Sequence, residues 1–342
     1  MKKLFCIAAV LLLLLSSCAA PGMQPEKKQY TATFLELFDT VTTIVGKAES
    51  KEAFEAEARK IRDDLEYYHR LFDIYESYEG VNNLKTVNDA AGKAPVQVDG
   101  TLIRLLLACK EYYRLTGGKV NIAMGSVLKL WHDARTDGIN DPANADLPDA
   151  AALLSAAAHI NPAQIVIDEA ASTVFLSDPE LRLDVGAIAK GWAVQQAAAK
   201  APAGLLISVG GNVCATGPKD EKGTPWVVGI QDPAASDRYL HTISVTSGSV
   251  VTSGDYQRAY VVDGKLYHHI IDPLSLQPSE YWRSVTVVCP DSGLADALST
   301  ALFLLPREQG QALLEQCGAE AMWVNAAGEL FYSPGFEKMI RT

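Results

Sequence analysis

Apolar residues along the chain follow strand-like spacing in some segments and helix-like spacing in others. Residues Thr31 to Gly46 are rich in β-branched and aromatic side chains, which favours strands. Between Glu49 and Tyr75 apolar residues recur about every 3.6 positions, which predicts a long amphipathic helix. A second helix is predicted after Asp99, which can cap its first turn, and it ends before the pair Gly117-Gly118.

The rest of the chain mixes helices with hairpins. Asn82 to Gly92 is predicted as a polar loop, and Asp137 to Pro148 as a surface insertion. The elements predicted after them are a helix at 149–158, paired strands within 164–183, a helix at 188–200, a strand at 205–209, mostly strands from 226 to 288, helices at 295–305 and 307–316, and a last hairpin, Ala321–Val324 with Leu330–Tyr332. This irregular order predicts an α+β fold in a single domain over residues 30–342.

The first residues predict export. Lys2 and Lys3 precede an apolar run, Leu4 to Leu15, which is shorter than the ~20 residues that a membrane-spanning helix needs. Ser16, Ser17 and Cys18 then resemble the lipobox of bacterial lipoproteins. We interpret residues 1–17 as a signal peptide, Cys18 as the lipidated first residue and residues 18–29 as a flexible tether, with an ordinary signal peptide as the alternative. The expected location is a membrane surface outside the cytoplasm.

Composition excludes some classes of protein. A formal net charge of -11 argues against nucleic acid as a partner, because phosphate backbones are bound by basic faces. The 48% hydrophobic and 21% charged content is that of a globular chain with a core. Cys109, Cys214, Cys289 and Cys317 are widely spaced among apolar residues, which predicts buried free thiols instead of disulfides or a zinc site.

Three segments combine glycine with polar residues after a strand. LDVGAIAKG, residues 183–191, forms a corner before a predicted helix, where the free N–H groups and the nearby Lys190 can bind an anion. The alternative is an ordinary corner with a solvated lysine. Gly210-Gly211-Asn212 follows a buried strand, so a ligand can approach the backbone there, although a plain turn fits equally well. Ser253-Gly254-Asp255 is a small polar turn that can orient a phosphate or a base edge.

Two further segments supply groups for proton transfer and metal binding. His268 and His269 are consecutive at a strand end, so their side chains point to opposite faces and only one can reach a given site. That one suits a general acid or base, or a phosphate contact, while a structural histidine is the alternative. Asp296 and Thr300 lie four positions apart on a predicted helix, so their oxygens share a face and suit Mg²⁺. The alternative is an aspartate that only stabilises the start of the helix.

Taken in order, LDVGAIAKG, LLISVGGN, VTSGDY, YHHIIDP and ADALSTALF resemble the ApbE family of FAD:protein FMN transferases. FDTVTTI and GKVNIAMGSVLKLWH fit as well, so the resemblance covers roughly residues 30–335. It implies a T-fold-like α+β domain with FAD in a cleft between two lobes. It also implies Mg²⁺ ligands from the side chains of Asp296 and Thr300 and the carbonyl of Ala187, and a proton-transfer or phosphate role for His269. The residues implied to contact FAD are Lys190, Gly210, Gly211, Asn212, Ser253, Gly254, Asp255, His269 and, from a looser match, Asn88.

The reaction implied is attack by a Ser or Thr hydroxyl of another protein on the FMN-side phosphorus of FAD, with AMP leaving. The implied partners are flavin-bearing subunits of membrane electron-transfer complexes, modified in a D-x-x-x-S-G-A-T-like motif that this chain lacks. The chain departs from the family at Val120-Asn121-Ile122, where many members carry Phe-Asp. Two other functions stay open, a hydrolase that splits FAD into FMN and AMP and a flavin-binding lipoprotein without catalysis. The Asp296–Thr300 pair and His269 count against the second, because a passive binder needs no metal on the diphosphate.

Overall fold

The computed structural model describes residues 27–35 and 37–341. The predicted signal peptide, Cys18 and all but the end of the tether therefore lie outside the described residues. The strands are β1 (Lys28–Phe34), β2 (Thr42–Ala48), β3 (Val96–Gln97), β4 (Ile165–Asp168), β5 (Thr173–Leu176), β6 (Leu205–Val209), β7 (Asn212–Ala215), β8 (Trp226–Asp232), β9 (Ala235–Val245), β10 (Gly248–Gly254), β11 (Ala259–Val262), β12 (Lys265–His268), β13 (Ser284–Cys289), β14 (Glu320–Val324) and β15 (Leu330–Tyr332). The helices are α1 (Lys51–Phe72), α2 (Leu84–Asp89), α3 (Gly100–Leu115), α4 (Gly125–Asn140), α5 (Ala150–Ala157), α6 (Ala189–Lys200), α7 (Ser292–Phe303), α8 (Arg307–Cys317) and α9 (Pro334–Glu337).

An eight-stranded sheet forms the centre of the molecule. Its order is β1-β2-β6-β7-β10-β13-β14-β15, and neighbouring strands run antiparallel throughout. The helices α1, α3, α6, α7 and α8 contribute to the largest hydrophobic cluster, which also contains sheet residues such as Ile207 and Val287. The apolar stripe predicted for α1 is buried there, from Phe54 through Leu65, and Ser50 caps the helix.

Two smaller hydrophobic clusters complete the fold. In one, the hairpin β8–β9 and α9 pack against sheet residues, with Trp226, Ile243 and Phe336 buried beside Val250 and Met322. In the other, α4 and α5 pack against the hairpin β11–β12. This third cluster lies beside the candidate site and forms one of its walls.

Three predicted elements were wrong. The predicted loop Asn82 to Gly92 contains α2, because the Asn83 side chain accepts from the Thr86 N–H at 3.1 Å and forms a capping box that the loop prediction overlooked. The predicted insertion at Asp137 starts too early, since α4 continues through Asn140. The strand expected to end at Asp184 is only a single bridge between Met124 and Arg182.

The predicted α+β class is confirmed. Helices and antiparallel strands alternate irregularly, as the chain order indicated. Within the described ranges no helix is both long and apolar enough to cross a membrane.

Candidate functional site

A cavity of about 960 Å³ is lined by residues of α4, α6, α7 and β10 and by residues that flank the β11–β12 hairpin. Its volume is in the range of small-molecule and cofactor sites. The predicted site residues that line it are Asn88, Ala187, Lys190, Gly210, Gly211, Asn212, Ser253, Gly254, His269, Asp296 and Thr300. These residues come from segments far apart in the chain, so the fold has brought them to one place.

Asp296 is the buried carboxylate of this cavity. It lies on α7, whose first turn is capped by Asp291, and only 4% of the Asp296 residue is exposed. Its Oδ2 accepts from the Gly191 N–H at 2.8 Å and from Asn212 Nδ2 at 3.2 Å. Burial raises the pKa of Asp296, and the nearby Lys190 opposes that rise. Asp296, although it lies on α7, therefore caps the N-terminal turn of α6 through Oδ2. Its second oxygen, Oδ1, can bind a ligand in the cavity.

The corner before α6 presents the carbonyl of Ala187. Asp184 Oδ1 accepts from the Gly186 N–H at 2.8 Å, and the Val185 carbonyl accepts from both Ile188 and Ala189. The N–H four residues after Ala187 is that of Gly191, which donates to Asp296 instead. No backbone N–H in the described chain donates to the Ala187 oxygen. This carbonyl is consequently available to a ligand in the cavity.

The predicted magnesium ligands fit this site. A carboxylate, a hydroxyl and a carbonyl oxygen, from Asp296, Thr300 and Ala187, all line the cavity, and oxygen ligands are those that Mg²⁺ prefers. The described residues contain no cluster of three or more His, Cys, Asp or Glu side chains of the kind that holds a metal alone. Such a small protein ligand set suits a Mg²⁺ ion that keeps water or phosphate oxygens, and the assignment stays a prediction.

The turn between β6 and β7 brings backbone close to the cavity. Gly210 and Gly211 have φ of 54° and 90°, values that glycine adopts without strain. A Cβ on Gly210 would lie 2.6 Å from Oγ1 of Thr40, so only glycine fits against that residue. The next residue, Asn212, was predicted to contact FAD, and its described hydrogen bond is to Asp296.

The Ser253-Gly254-Asp255 turn divides between the cavity and the protein interior. Ser253 Oγ is 2.7 Å from Ser299 Oγ, and Ser299 Oγ donates to the Asp296 carbonyl. Asp255 is not among the residues that line the cavity, and its carboxylate accepts from Arg283 Nε at 3.2 Å, so its contact with FAD stays a prediction. The strand β10 ends at Gly254, so the alternation that would have carried Asp255 to the side of Ser253 stops one residue earlier.

The two histidines diverge as predicted, and His269 is the one that faces the cavity. His268 is buried, with Nε2 2.7 Å from the Ser279 carbonyl and Nδ1 accepting from the Ile270 N–H. His269 lines the cavity, and its buried Nδ1 has no hydrogen-bond partner among the described residues. Burial, followed by the positive charge of Arg258, lowers the pKa of His269 to about 3. His269 is therefore neutral at physiological pH.

Several lining residues were not predicted. The Tyr75 side chain is largely exposed, and its ring lies 5.6 Å from that of His132 at an interplanar angle of 34°, which adds aromatic surface to the cavity. Arg135 and Arg258 add two guanidinium groups to the same wall. Isolated aromatic and basic residues in a sequence carry no signal of this kind, and only the packing of α4 on β11 reveals it.

Two other predicted positions hold structural hydrogen bonds. Asn88 donates to the Leu183 carbonyl and accepts from the Leu183 N–H, at 3.0 and 2.7 Å. Asn121, at the departure from the family pattern, donates to the Ile160 carbonyl and accepts from the Ala123 N–H. Both line the cavity, so a contact of Asn88 with FAD stays a prediction.

The sequence model of the ApbE family matches residues 38–323, which make up most of the chain. The chain belongs to the ApbE family. An FAD:protein FMN transferase of Treponema pallidum is 36% identical over 277 residues, which cover 75% of each chain. One from Klebsiella pneumoniae is 34% identical over 264 residues, covering 72% of this chain and 78% of the relative. The crystal structure of the ApbE protein from Thermotoga maritima superposes with a TM-score of 0.81 at 29% identity, covering 92% of this chain and 100% of that one.

Proposed function

We propose that this ApbE-family chain is an FAD:protein FMN transferase that moves FMN from FAD to a Ser or Thr hydroxyl of a target protein, with Mg²⁺. The name that its relatives share supports the reaction class. The observation that carries the proposal is the buried Asp296 carboxylate, which is fixed through Oδ2 and lines the same cavity as the neutral His269. In a cofactor-sized cavity, a buried carboxylate can help to bind a metal ion and a neutral histidine can accept a proton during phosphoryl transfer.

The chain's own groups divide the work between positioning and proton transfer. His269 accepts the proton of the attacking hydroxyl, whose oxygen forms a bond to the FMN-side phosphorus as the phosphorus–oxygen bond to AMP breaks. Lys190 and the glycine turn at Gly210 lie where the diphosphate is expected. Asp296, Thr300 and the Ala187 carbonyl would hold the metal, which would supply charge neutralisation at the diphosphate.

The same proposal includes the architecture and the location of the protein. A T-fold-like unit with FAD in a cleft between two lobes is supported by a cavity that is lined both by residues of the central sheet, α6 and α7 and by residues of α4. Lipidation at Cys18 and anchorage on a membrane outside the cytoplasm are supported by the lipobox-like segment. Target flavoproteins in exported or membrane electron-transfer complexes are what the family resemblance implies.

The decisive experiment measures the intact mass of an acceptor. The chain from residue 19 is incubated with FAD, Mg²⁺ and a flavin-acceptor domain that carries the D-x-x-x-S-G-A-T-like motif. We expect a mass gain of one FMN less one water, which chelator abolishes. Free FMN and AMP with an unmodified acceptor would favour the hydrolase, and untouched FAD would leave only the binding protein.

The Asp296→Ala variant tests the metal assignment in the same assay. Loss of Asp296 removes the one charged ligand, so we expect the release of AMP to fall by at least about a hundredfold while the fold is retained. The matched control is Asp63→Asn, which removes an exposed carboxylate on α1 and leaves turnover unchanged. Near-normal turnover of the Asp296 variant would reject the assignment.

A further inference from the structure

A second cavity, of about 440 Å³, lies on the face of the central sheet that points away from α6 and α7. Gln29, Val45 and Leu206 line it from β1, β2 and β6, and it shares no lining residue with the candidate site. Side chains alternate along a strand, so Val45 and Leu206 face the opposite way from Ile44 and Ile207, which pack in the cluster with α6 and α7. The second cavity is therefore separate from the candidate site.

Two basic side chains, Lys219 and Arg341, line the second cavity beside apolar ones such as Val45 and Val227. Lys219 Nζ lies 5.5 Å from the centre of the Trp226 ring, which keeps the ammonium group at the cavity wall. Among the described residues, no carboxylate lies within 4 Å of either cation. A lining that combines two cations with apolar surface suits an amphiphilic anion.

The carboxylates around the second cavity already have cationic partners. Glu221 Oε1 lies 3.0 Å from Lys27 Nζ, and Asp220 Oδ2 lies 3.0 Å from Lys47 Nζ. Glu49 is a further carboxylate near Lys27. These two lysines and the two cations that line the cavity outnumber the three carboxylates. A chain with a net charge of -11 therefore presents a locally positive surface here, where an anionic partner is not repelled.

The N-terminal segment joins the fold beside the second cavity. Gln29 lines this cavity two residues after Lys27, and Cys18 lies nine positions before Lys27. A chain of that length reaches at most ~30 Å, so the predicted lipid anchor stays close to this surface. The strand β2 begins two residues after Thr40, which lines the candidate site, and it ends beside the start of β1. Its length of about 20 Å thus separates the candidate site from the anchored end of the sheet.

We propose that the second cavity binds the headgroup of an anionic phospholipid and seats the anchored enzyme on the membrane. The inference rests on the proposed membrane location and goes beyond the proposed reaction. The headgroup phosphate lies between Lys219 and Arg341, and the glycerol carbons contact the apolar part of the lining. Basic pockets beside a membrane bind anionic headgroups in this way. The candidate site, at the far end of β2, is then left open to an acceptor protein.

The test measures vesicle binding of the mature chain with Cys18→Ser, so that no acyl chain contributes. Vesicles of phosphatidylcholine are compared with vesicles of equal parts phosphatidylcholine and phosphatidylglycerol. The variants are Lys219→Gln, Arg341→Gln and both together. The matched control is Lys60→Gln with Arg114→Gln, which removes the same two charges from exposed positions on α1 and α3. Co-sedimentation gives the binding constant, and thermal unfolding and FMN transfer without vesicles report an intact protein.

At low salt we expect the parent to bind the anionic vesicles about tenfold or more tightly than the neutral ones. Each single substitution should weaken this binding about fivefold and the double variant about twenty-five-fold, while the control pair stays within about twofold of the parent. FMN transfer without vesicles should be unchanged in every variant. Equal binding to both kinds of vesicle, or an equal loss in the control pair, would overturn the site.

Glycerol phosphate distinguishes a membrane headgroup from a soluble ligand of the same chemistry. Calorimetry measures its binding to the parent and to the double variant. We expect weak binding that the double variant loses, because the isolated headgroup lacks the neighbouring charges of a bilayer. Tight binding of glycerol phosphate together with no preference for anionic vesicles would replace the membrane by a soluble phosphate ester and overturn the proposal.

Discussion

His269 combines a cavity position with a pKa far below that of a free histidine. In the unfolded chain histidine takes up a proton near pH 6.5, whereas in the fold burial and nearby cations keep His269 neutral down to about pH 3. Between these two pH values the unfolded chain binds one more proton at this residue than the folded chain does. The free energy of unfolding therefore decreases as the pH falls.

The His269→Gln variant removes that pH dependence. Relative to the variant, the unmodified protein should lose up to about 1.4 kcal/mol of unfolding free energy for each pH unit between 6.5 and 3. Denaturant unfolding with chelator present measures the difference in unfolding free energy between the two proteins. Measurements at pH 7 and pH 8 are the internal control, because this difference should be the same at both. A difference that stays constant down to pH 4 would contradict the lowered pKa.

Gly191 is the residue that lets α6 and α7 touch at the site. An added Cβ would lie 2.3 Å from the Ser292 carbonyl oxygen and 2.5 Å from the Asp296 Cβ. A Gly191→Ala variant must push the helices apart and weaken the hydrogen bond from residue 191 to Asp296. We expect a loss of about 1–3 kcal/mol in unfolding free energy, because overpacking outweighs the better helix propensity of alanine.

The control for Gly191 is Gly100→Ala at the start of α3. Its nearest neighbour would be Arg104 Nη1 at 3.8 Å, an ordinary contact, so this variant should be as stable as the parent or slightly more so. Thermal unfolding and FMN transfer are measured for both variants. Equal melting temperatures and activities for the two would show that the α6–α7 contact is not as tight as described.

At the scale of elements, one buried ion pair ties the α3–α4 connection to the loop after β12. Lys119 Nζ lies 2.5 Å from Asp272 Oδ2, and both side chains are less than 20% exposed. Burial would raise the pKa of Asp272, but the hydrogen bonds from Lys119 and from the N–H groups of Leu274 and Ser275 lower it overall. Because Asp272 lies three residues after His269, this ion pair fixes the segment that follows the histidine.

The Lys119→Met variant leaves the Asp272 carboxylate without its cation. We expect the unfolding free energy at pH 7 to fall by about 3 kcal/mol. The loss should shrink as the pH falls through the lowered pKa of Asp272, since the protonated acid no longer needs the lysine. Lys129→Met is the matched control, because its partner Asp133 and the lysine itself are exposed, and the change there should stay below about 1 kcal/mol. Equal losses for both variants would mean that Lys119 contributes no more than a surface pair.

At the scale of the whole molecule, stability rests on the three hydrophobic clusters and on no described disulfide. Cys109, Cys214 and Cys289 are buried as free thiols, and Cys317 is partly exposed. Burial raises the pKa of each of these four thiols, to about 11 for Cys289. The prediction of buried free thiols is therefore confirmed for Cys109, Cys214 and Cys289, whereas Cys317 is a free thiol that is only partly buried.

Thiol titration of the chain from residue 27 checks this arrangement. With a chromogenic disulfide reagent we expect one thiol, Cys317, to react readily in the native protein and all four in guanidinium. A reductant should leave the melting temperature unchanged, and Cys317→Ser should abolish the fast phase. A melting temperature that drops by several degrees on reduction would reveal a disulfide instead.

Local pattern was sufficient for much of the fold and for part of the site. The stripe on α1, the strand alternation that separates His268 from His269, and the one-turn spacing of Asp296 and Thr300 depend only on neighbours in the sequence. The pattern failed where a short cap or a strand end decided the outcome. It missed α2, which Asn83 caps, and it began the surface insertion at Asp137 although α4 continues through Asn140.

The sequence by itself determined the element types, the α+β class, the family resemblance and the order of the segments that line the cavity. Periodicity and motif order require no knowledge of distant contacts, so they can be recognised directly. Only the tertiary structure decided what holds these segments in place. Asp296 accepts from Gly191 and Asn212, 105 and 84 positions away, and Gly138 of α4 packs against Tyr260 of β11. Such contacts depend on the close approach of whole elements, and side-chain burial and charge at the site follow from that approach.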